Sequence, residues 1–496
     1  MRRSLLIAGT TSDAGKSVVT TALCRALARR GVSVAPFKAQ NMSNNSMVTT
    51  AGTEIGRAQW IQSVAAQAEP ETAMNPVLLK PGSDRRSHVI VMGQPAGTLD
   101  AGEFASGRKA LARAAFEAFD DLSSRYDVVV CEGAGSPAEI NLRANDYVNM
   151  GLAQHGQIPT LIVGDIDRGG VFAAMFGSLA LLDAADQALV SGFIINKFRG
   201  DVSLLAPGLD TLRELTDRPM LGVLPWQPGL WLDSEDSLAL SDRGTHTLPV
   251  DATPLSVAVV RFPRISNFTD IDALCLEPGL QVSFVDHPRQ LAQADIVVLP
   301  GTRATLGDLA WLRERGLAEA IAGHARRGGV VLGICGGFQM LGAMIEDPHG
   351  IEGEPATAEG LGLLDIRTTF GADKTLRLAA GRAYGAHASG YEIHHGAIER
   401  HGGDEFLGGA RSGAVFGTMW HGSLENDDTR SGWLREASAL LGLPDASSTV
   451  SFPAAREARL ETLADLAEEH LDIDHILEIA SGGAPSGMRT VTGGLA

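Results

Sequence analysis

The feature that most constrains the fold of this chain is a glycine-rich loop at residues 9–17, which reads GTTSDAGKS. An apolar stretch from Ser4 to Gly9 predicts a buried strand before it, and Ser17 to Arg30 predicts a helix after it. Such a loop exposes backbone N–H groups to phosphate, while its lysine reaches the terminal phosphates and its serine hydroxyl coordinates magnesium. The order strand, loop, helix therefore predicts a parallel α/β sheet that binds a nucleotide.

Three residues of this loop are predicted to bind the nucleotide, Gly15, Lys16 and Ser17, and Ser17 is also expected as a magnesium ligand. The loop has one residue more before Gly-Lys-Ser than the common Walker A spacing, and in this it resembles the loop of dethiobiotin synthetase and its relatives. An ordinary glycine-rich turn with an incidental lysine is the alternative. Such a turn would not need a strand before it and a helix after it.

Polar segments follow further predicted strands at Val32–Phe37, Tyr126–Cys131, Pro159–Val163, Ser191–Ile195 and Leu221–Leu224. Parallel strands bind ligands at their carboxyl ends, so Lys38, Glu132 and Asn196 are expected near the nucleotide. Glu132 is the first choice for an acidic magnesium ligand, and Glu54, which opens a later helix, is a second candidate facing the phosphates. The alternatives are an asparagine-rich turn at residues 38–46, a solvated glutamate at position 132 and a strand cap at position 196.

A second strand, turn and helix lie at residues 330–341, which read VVLGICGGFQML. This pattern is typical of a nucleophile elbow, in which a sharp turn lifts the Cys335 thiol clear of the sheet and the helix N-terminus stabilises its thiolate. The Gly336 N–H can then hold an oxyanion, and Gly301, in the loop after a strand at Ile296–Leu299, is expected to place a second N–H there. A buried structural cysteine is the alternative, but core packing does not require so specific a motif.

The elbow GICGGFQ resembles that of class I glutamine amidotransferases, in which a cysteine attacks the side-chain amide of glutamine and ammonia is released. The resemblance implies a histidine as the base, and His421 matches the family's His-Gly motif, with His394 as the alternative. Most members carry a glutamate two residues after this histidine, where Ser423 stands here. We therefore expect a Cys-His dyad without an acidic partner, and a slow glutaminase.

At 496 residues the chain is too long for a single core, and its 44% hydrophobic content predicts full globular folding. We expect an α/β protein with a P-loop domain, built on a doubly wound parallel sheet, at residues 1–232. A flavodoxin-like domain of the class I amidotransferase type is expected at 254–480, with β hairpins between 360 and 420. The apolar pattern fails at 233–253, which predicts a linker, and the Gly/Ser/Thr-rich residues 481–496 predict a disordered tail.

The net charge of −18, from 41 basic and 59 acidic residues, argues against binding to nucleic acid or membranes, since both demand a basic face. A small-molecule enzyme fits better. The four cysteines have neither metal-ligand spacing nor a disulfide pattern, and the first apolar run is too short for a signal peptide or a membrane span. The sequence therefore predicts a cytoplasmic protein, and a homo-oligomer stays open.

Together with the loop and the elbow, three further segments closely resemble the cobyric acid synthase family: AQNMSNNS at 39–46, GSPAEINL at 135–142 and DIDRGG at 165–170. The related cobyrinic acid a,c-diamide synthases share the two-domain plan but are less similar in these loops. The resemblance, which covers about residues 4–475, implies ATP and Mg²⁺ as cofactors, and glutamine and a corrinoid as substrates. The reaction would amidate the b, d, e and g carboxylates of adenosylcobyrinic acid a,c-diamide.

Two alternatives to this function stay open. One is an amidoligase that acts on a different polycarboxylate, because the loops that form the substrate cradle have a shape that sequence does not reveal. The other is a partitioning-type regulatory ATPase, which uses a similar sheet. Such ATPases usually carry a second lysine early in the loop, where residues 10–12 are Thr, Thr and Ser, and they lack a glutaminase domain.

Overall fold

The computed structural model describes residues 3–81, 86–100, 104–228 and 254–491. The N-terminal half contains these strands and helices: β1 Ser4–Gly9, α1 Lys16–Arg29, β2 Val34–Phe37, β3 Gln40–Met42, β4 Ser46–Val48, β5 Glu54–Gly56, α2 Arg57–Ala65, β6 Val77–Pro81, β7 Arg86–Val91, β8 Gln94–Asp100, α3 Phe104–Arg125, β9 Val128–Glu132, α4 Met150–Gly156, β10 Thr160–Asp165, α5 Val171–Ala180, α6 Ala184–Gln187, β11 Val190–Phe198, α7 Ala206–Thr216 and β12 Met220–Pro225.

The C-terminal half continues the series. Its strands and helices are β13 Leu255–Val260, α8 Asp272–Cys275, β14 Leu280–Val285, β15 Ile296–Leu299, α9 Thr305–Glu314, α10 Leu317–Arg326, β16 Val330–Ile334, α11 Gly336–Leu341, β17 Met344–Asp347, β18 Ala356–Glu359, β19 Ile366–Ala383, β20 Ala386–Arg400, β21 Asp404–Phe406, β22 Gly409–Ser412, β23 Val415–Thr418, α12 Asp427–Leu441, α13 Phe452–His470 and α14 Ile473–Gly482.

The N-terminal half is built on a six-stranded sheet in the order β12-β11-β10-β1-β9-β2, in which every pair is parallel. Alternate side chains of β1 enter opposite cores: Leu6 and Ala8 pack on one face of the sheet, and Leu5 and Ile7 on the other. Both faces are therefore covered, which confirms the predicted doubly wound parallel sheet. A smaller sheet, β3-β6-β7-β8, and the pair β4-β5 complete this half.

The C-terminal half has a seven-stranded sheet in the order β14-β13-β15-β16-β23-β22-β21. The first five strands are parallel, and β22 and β21 are antiparallel. A second sheet, β18-β17-β19-β20, contains the long antiparallel pair β19 and β20, as the alternation between 360 and 420 predicted. The pairing of β19 shifts between Phe370 and Thr375, so residues 371–374 form a bulge in this strand.

The last two helices return to the N-terminal half, although residues up to 480 were expected in the amidotransferase domain. Leu460 and Leu463 of α13 and Ile476 of α14 are buried in the core that contains Leu5 and Ile7. In α1, the buried Arg25 is ion-paired with Glu461 of α13 at 2.5 Å. The helices α13 and α14 therefore complete the core on one face of the nucleotide-binding sheet.

The prediction of a disordered tail is wrong for residues 481–491. Val491 is buried, its N–H donates to Gln187 Oε1 at 2.8 Å, and its carbonyl oxygen accepts from Gln187 Nε2 at 2.9 Å. Residues 492–496 and the predicted linker at 233–253 lie outside the described residues. In the described part of the chain, every helix is too short or too polar to cross a membrane.

Candidate active site

The glycine-rich loop at residues 9–17 connects β1 to α1 at the carboxyl edge of the first sheet. Gly15 has a φ of +99°, which side chains disfavour, and a Cβ at this position would lie 1.9 Å from the amide nitrogen of Asn196. That amide nitrogen donates to the carbonyl oxygen of Ala14 at 3.0 Å. The structure therefore brings Asn196, at the end of β11, against the phosphate loop.

Lys16 lies at the first position of α1 and is 4% exposed. Its ammonium group donates to the carbonyl oxygens of Thr11 at 2.9 Å and Ser12 at 2.8 Å. The loop thus curves around its own lysine. A fixed positive charge at a helix N-terminus is well suited to the phosphates of a nucleotide.

Glu132, at the end of β9, connects the other predicted residues of this site. Its carboxylate accepts from Ser17 Oγ at 2.9 Å, from Lys38 Nζ at 2.9 Å and from Gln62 Nε2 at 2.6 Å. Burial alone would raise the pKa of Glu132, but the charge of Lys38 and the hydrogen bonds lower it below its usual range. An ionised carboxylate therefore lies beside the Ser17 hydroxyl at the mouth of the phosphate loop.

Ser17 and Glu132 fit a magnesium ion by their chemistry, because Mg²⁺ prefers hard oxygen ligands and takes only one or two carboxylates from a protein. The remaining ligands at such sites are water and substrate phosphates. In the ranges that the structure describes, no group of three or more His, Cys, Asp or Glu side chains could hold a metal on its own. Ser17 and Glu132 would therefore share the coordination of Mg²⁺ with water and the phosphates of the nucleotide.

Glu54 does not belong to this group, contrary to the expectation that it faces the phosphates. Its Oε1 accepts from Lys80 Nζ at 2.5 Å and from Ser46 Oγ at 2.7 Å, and its Oε2 accepts from Lys374 in the bulge of β19. Burial would raise the pKa of Glu54, but the two lysines hold it well below its usual range. Because ammonium groups occupy both oxygens, the carboxylate faces the other domain and is no metal ligand.

Cys335 lies between β16 and α11 with φ +50° and ψ −110°, an uncommon conformation for a residue with a side chain. Its neighbours must be small, since a Cβ at Gly337 would lie 1.9 Å from the carbonyl oxygen of Leu299. A Cβ at Gly336 would lie 3.1 Å from the backbone nitrogen of Thr302, and one at Gly301 would lie 3.0 Å from His421 Cε1. The elbow, the loop after β15 and the histidine therefore meet at one place.

His421 lies beside Cys335 and is hydrogen bonded to a carboxylate that the sequence did not reveal. Its Nδ1 lies 2.7 Å from Asp270 Oδ2, and the other oxygen of Asp270 accepts from the Gly422 N–H at 2.7 Å. Both side chains are buried, with 1% of His421 and 3% of Asp270 exposed. The expected dyad without an acidic partner is therefore wrong, because Asp270, from the turn before α8, takes the place of the glutamate that is missing at position 423.

The charges around His421 decide its protonation state. Burial lowers the pKa of His421, but the negative charge of Asp270 and the neighbouring Cys335 sulfur raise it more, to about 10. At neutral pH the ring is therefore an imidazolium. A thiolate beside an imidazolium is the form in which a cysteine attacks a carbonyl group.

His394, the alternative base, occupies a different position. Its Nδ1 lies 2.8 Å from the carbonyl oxygen of Gly396, and its Nε2 lies 3.3 Å from Glu392 Oε2. Both ring nitrogens are thus engaged away from the thiol. His421, in contrast, lies beside Cys335.

The thiol opens into a cavity of about 330 Å³ that both domains line. Cys335, Gln339 and His421 belong to the amidotransferase half, whereas Lys80 of β6 and His88 of β7 belong to the nucleotide-binding half. Sequence reasoning assigned no role to β6 and β7. Their position closes the thiol site from the side of the first domain.

Comparison with known proteins gives two family matches, one in each half of the chain. Residues 5–240 match the CobQ/CobB/MinD/ParA nucleotide binding domain, and residues 256–429 match the CobB/CobQ-like glutamine amidotransferase domain. The first range covers nearly all of the six-stranded sheet, and the second range covers nearly all of the seven-stranded sheet.

Three curated relatives, each named cobyric acid synthase, match over nearly their whole length. The protein of Mycolicibacterium gilvum is 65% identical over 489 residues, and that of Mycolicibacterium vanbaalenii is 63% identical over 490 residues; each match covers 98% of both chains. The protein of Mycobacterium tuberculosis is 62% identical over 491 residues, or 97% of both chains.

Proposed function

The chain belongs to the cobyric acid synthase family of glutamine-hydrolysing ligases, and we propose that it amidates the b, d, e and g carboxylates of adenosylcobyrinic acid a,c-diamide to give adenosylcobyric acid. This step belongs to cobalamin biosynthesis. The observation that carries the proposal is the presence of two candidate reaction centres in one chain, a phosphate loop with an ionised Glu132 and a thiol beside a His421 that is hydrogen bonded to Asp270. The first centre is suited to activate a carboxylate, and the second to release ammonia.

At the phosphate loop, the chemistry begins with a carboxylate, which is a poor electrophile until one oxygen becomes a leaving group. Lys16 and the loop N–H groups stabilise the charge on ATP while its terminal phosphoryl group passes to a substrate oxygen, which yields ADP and an acyl phosphate. Ser17 and Glu132 would hold Mg²⁺, which supplies further neutralisation of phosphate charge. Lys38 keeps Glu132 ionised and in place. Ammonia then attacks the acyl carbon, and inorganic phosphate leaves.

At the elbow, the Cys335 thiolate attacks the side-chain amide carbon of glutamine. The N–H groups of Gly336 and of the loop after β15 stabilise the oxyanion, and the His421 imidazolium gives its proton to the departing ammonia. His421 then takes a proton from water, which hydrolyses the thioester to glutamate. Asp270 holds the ring in the orientation that both proton transfers require.

The experiment that tests this function combines purified protein with ATP, Mg²⁺, glutamine and adenosylcobyrinic acid a,c-diamide. Mass spectrometry follows the exchange of each carboxyl hydroxyl for an amino group, and ADP and glutamate are measured in the same samples. We expect successive amidated products, with ADP and glutamate formed in equal amounts to the new amide groups. Hydrolysis of ATP and glutamine with an unchanged corrinoid, or preferential amidation of another polycarboxylate, would contradict the proposal.

A further inference from the structure

The cavity next to Cys335 is lined by a cation, Arg303, that has no ion pair among the described residues. Arg303 follows the loop after β15 and lines the cavity together with Cys335. Its backbone N–H donates to the carbonyl oxygen of Arg264 at 2.9 Å. Its guanidinium group, in contrast, makes no hydrogen bond or ion pair with any residue in the part of the chain that the structure describes.

The two carboxylates whose charges act on the Arg303 guanidinium, those of Glu352 and Glu54, already have other hydrogen-bond partners. Glu352 accepts from Thr305 Oγ1 at 2.9 Å and from the Leu306 N–H at 3.1 Å. Glu54 is held by two lysines, as described above. Burial lowers the pKa of Arg303, which Glu352 and Glu54 only partly oppose. A partly buried guanidinium without a bonded acceptor is unfavourable, so this arrangement favours a ligand that brings a carboxylate.

Other residues of the cavity wall also favour an anionic ligand. The side-chain nitrogen of Gln339 is buried and has no acceptor among the described residues. Burial and the neighbouring cations lower the pKa of His88 to about 3 and that of His395 to about 4, so both rings are neutral in a field of positive charge. In a chain with a net charge of −18, such a surplus of donors and cations points to an anionic ligand group.

The size of the cavity narrows the choice of ligand. A volume of about 330 Å³ lies at the lower end of the range for ligand pockets, roughly 300–1,000 Å³. Such a volume suits an amino acid. The amino acid would lie with its side chain toward Cys335 and its main-chain groups toward the wall that β6 and β7 close.

We propose that Arg303 binds the α-carboxylate of glutamine and that Lys80 and His88 of the nucleotide-binding domain complete the wall of this site. The planar guanidinium can hold a carboxylate through two parallel hydrogen bonds, which fixes the amide at a set distance from the thiol. The glutamine site is then shared between the domains. This inference rests on the glutaminase activity proposed above.

The test compares two amides in Arg303→Met and in the unaltered enzyme. Glutamine is the first, and 4-aminobutanamide, which keeps the amide and the amine but lacks the carboxylate, is the second. We expect Arg303→Met to raise the KM for glutamine by about 10-fold to 100-fold, as for other hydrogen bonds to charged groups, with kcat nearly unchanged. The kcat/KM for 4-aminobutanamide should stay the same, so the preference for glutamine collapses.

Two further variants keep this test decisive. Arg315→Met removes an equal charge from an exposed residue, whose guanidinium carbon lies 5.7 Å from the ring centre of Trp311. This variant should leave KM and kcat unchanged for both amides. Arg303→Lys keeps the charge but not the two-pronged geometry, so its loss should fall between those of the unaltered enzyme and Arg303→Met. Should Arg303→Met fail to make product from ammonium salts, Arg303→Lys replaces it in the comparison.

Several outcomes would overturn the proposal. An equal loss with both amides would make Arg303 a structural residue, and a raised KM for the corrinoid in ammonia-driven synthesis would assign it to the other substrate. A preference for glutamine that Arg303→Lys and Arg303→Met leave unchanged would remove Arg303 from the site. If the unaltered enzyme hydrolysed neither amide, the glutaminase function itself would fall, and this inference with it.

Discussion

The two reaction centres differ in how their parts are distributed along the chain. At the phosphate loop, residues 9–17 are contiguous, and Glu132 comes from β9, the strand that pairs with β1. At the thiol, His421 and Asp270 are 151 residues apart, and Asp270 lies in a turn rather than at a strand end. The buried acids also have different partners, lysine for Glu132 and histidine for Asp270. A centre built at neighbouring strand ends can thus be predicted from sequence, whereas one completed by a turn cannot.

The strongest test of the separation between the centres is Cys335→Ala. Without the thiol, we expect glutamine-dependent synthesis to be lost entirely, while ammonium salts at high concentration still support amidation, because Lys16, Ser17 and Glu132 are untouched. The ammonia-driven rate should increase with pH as more ammonium is deprotonated to NH₃. Product is measured by mass spectrometry with each nitrogen source. A folded variant that binds ATP but fails with ammonia as well would show that Cys335 also acts on the corrinoid side.

At the phosphate loop, Lys16→Ala and Glu132→Gln should lower synthesis with either nitrogen source. Each change removes a charge that acts on the transferring phosphoryl group, and such losses typically cost about 10²-fold to 10³-fold in rate. Glutaminase activity measured as glutamate release should persist. Glu117→Gln, on an exposed part of α3, is the matched control and should behave as the unaltered enzyme. Near-normal synthesis in both loop variants would disprove this phosphate site.

Replacing each of the two histidines of the amidotransferase domain should lower glutaminase activity by different amounts. His421→Ala should lower glutaminase activity by roughly 10²-fold or more, since it removes the group that moves the protons. His394→Ala should mainly affect glutamine binding or folding, because both of its ring nitrogens are engaged with Glu392 and Gly396. Initial rates of glutamate release for both variants decide the matter, and the reverse order would assign the base to His394.

The smallest effect on rate, and the most informative on pH, is expected for Asp270→Asn. The base remains but is less well held, so we expect a smaller loss of glutaminase activity than for His421→Ala, as when the acid of a catalytic triad is removed alone. Asp270 raises the pKa of His421, so the imidazolium persists toward pH 10 in the unaltered enzyme. Removing that charge lowers the pKa, and the alkaline limb of the kcat/KM profile for glutamine should therefore move to lower pH. An unmoved limb would show that Asp270 has no electrostatic role.

Some parts of both centres could be predicted because their signals are local. The glycines at positions 15 and 336 and the residues beside them lie in short motifs where a strand ends and a helix begins, and the structure has both turns at those places. The strands that carry Lys38, Glu132 and Asn196 were predicted from apolar runs, with ends that differ by a few residues. Parallel pairing then brings these residues together without further information.

The wrong predictions share a physical cause: the residues concerned contact partners that are far away in the sequence. Glu54 was expected at the phosphates, but its partner Lys374 lies 320 residues away, in a bulge that no pattern announces. Asp270 and Asp272 are both buried acids in one short segment, and sequence cannot tell which of them meets His421. The tail has the composition of a disordered segment, yet Val491 finds a specific partner in Gln187.

The return of α13 and α14 to the first sheet has a consequence for how the protein is made. The phosphate loop and α1 leave the ribosome more than 400 residues before the apolar side chains that complete the adjoining core, from Leu460 to Ile479. Until α13 and α14 emerge, part of one face of the newly made nucleotide-binding half is therefore uncovered, at a stage when exposed apolar surface promotes aggregation. Its folding finishes only after α13 and α14 have emerged. A chain interrupted before α13 would keep that surface open to chaperones and proteases, even with every residue of both reaction centres present.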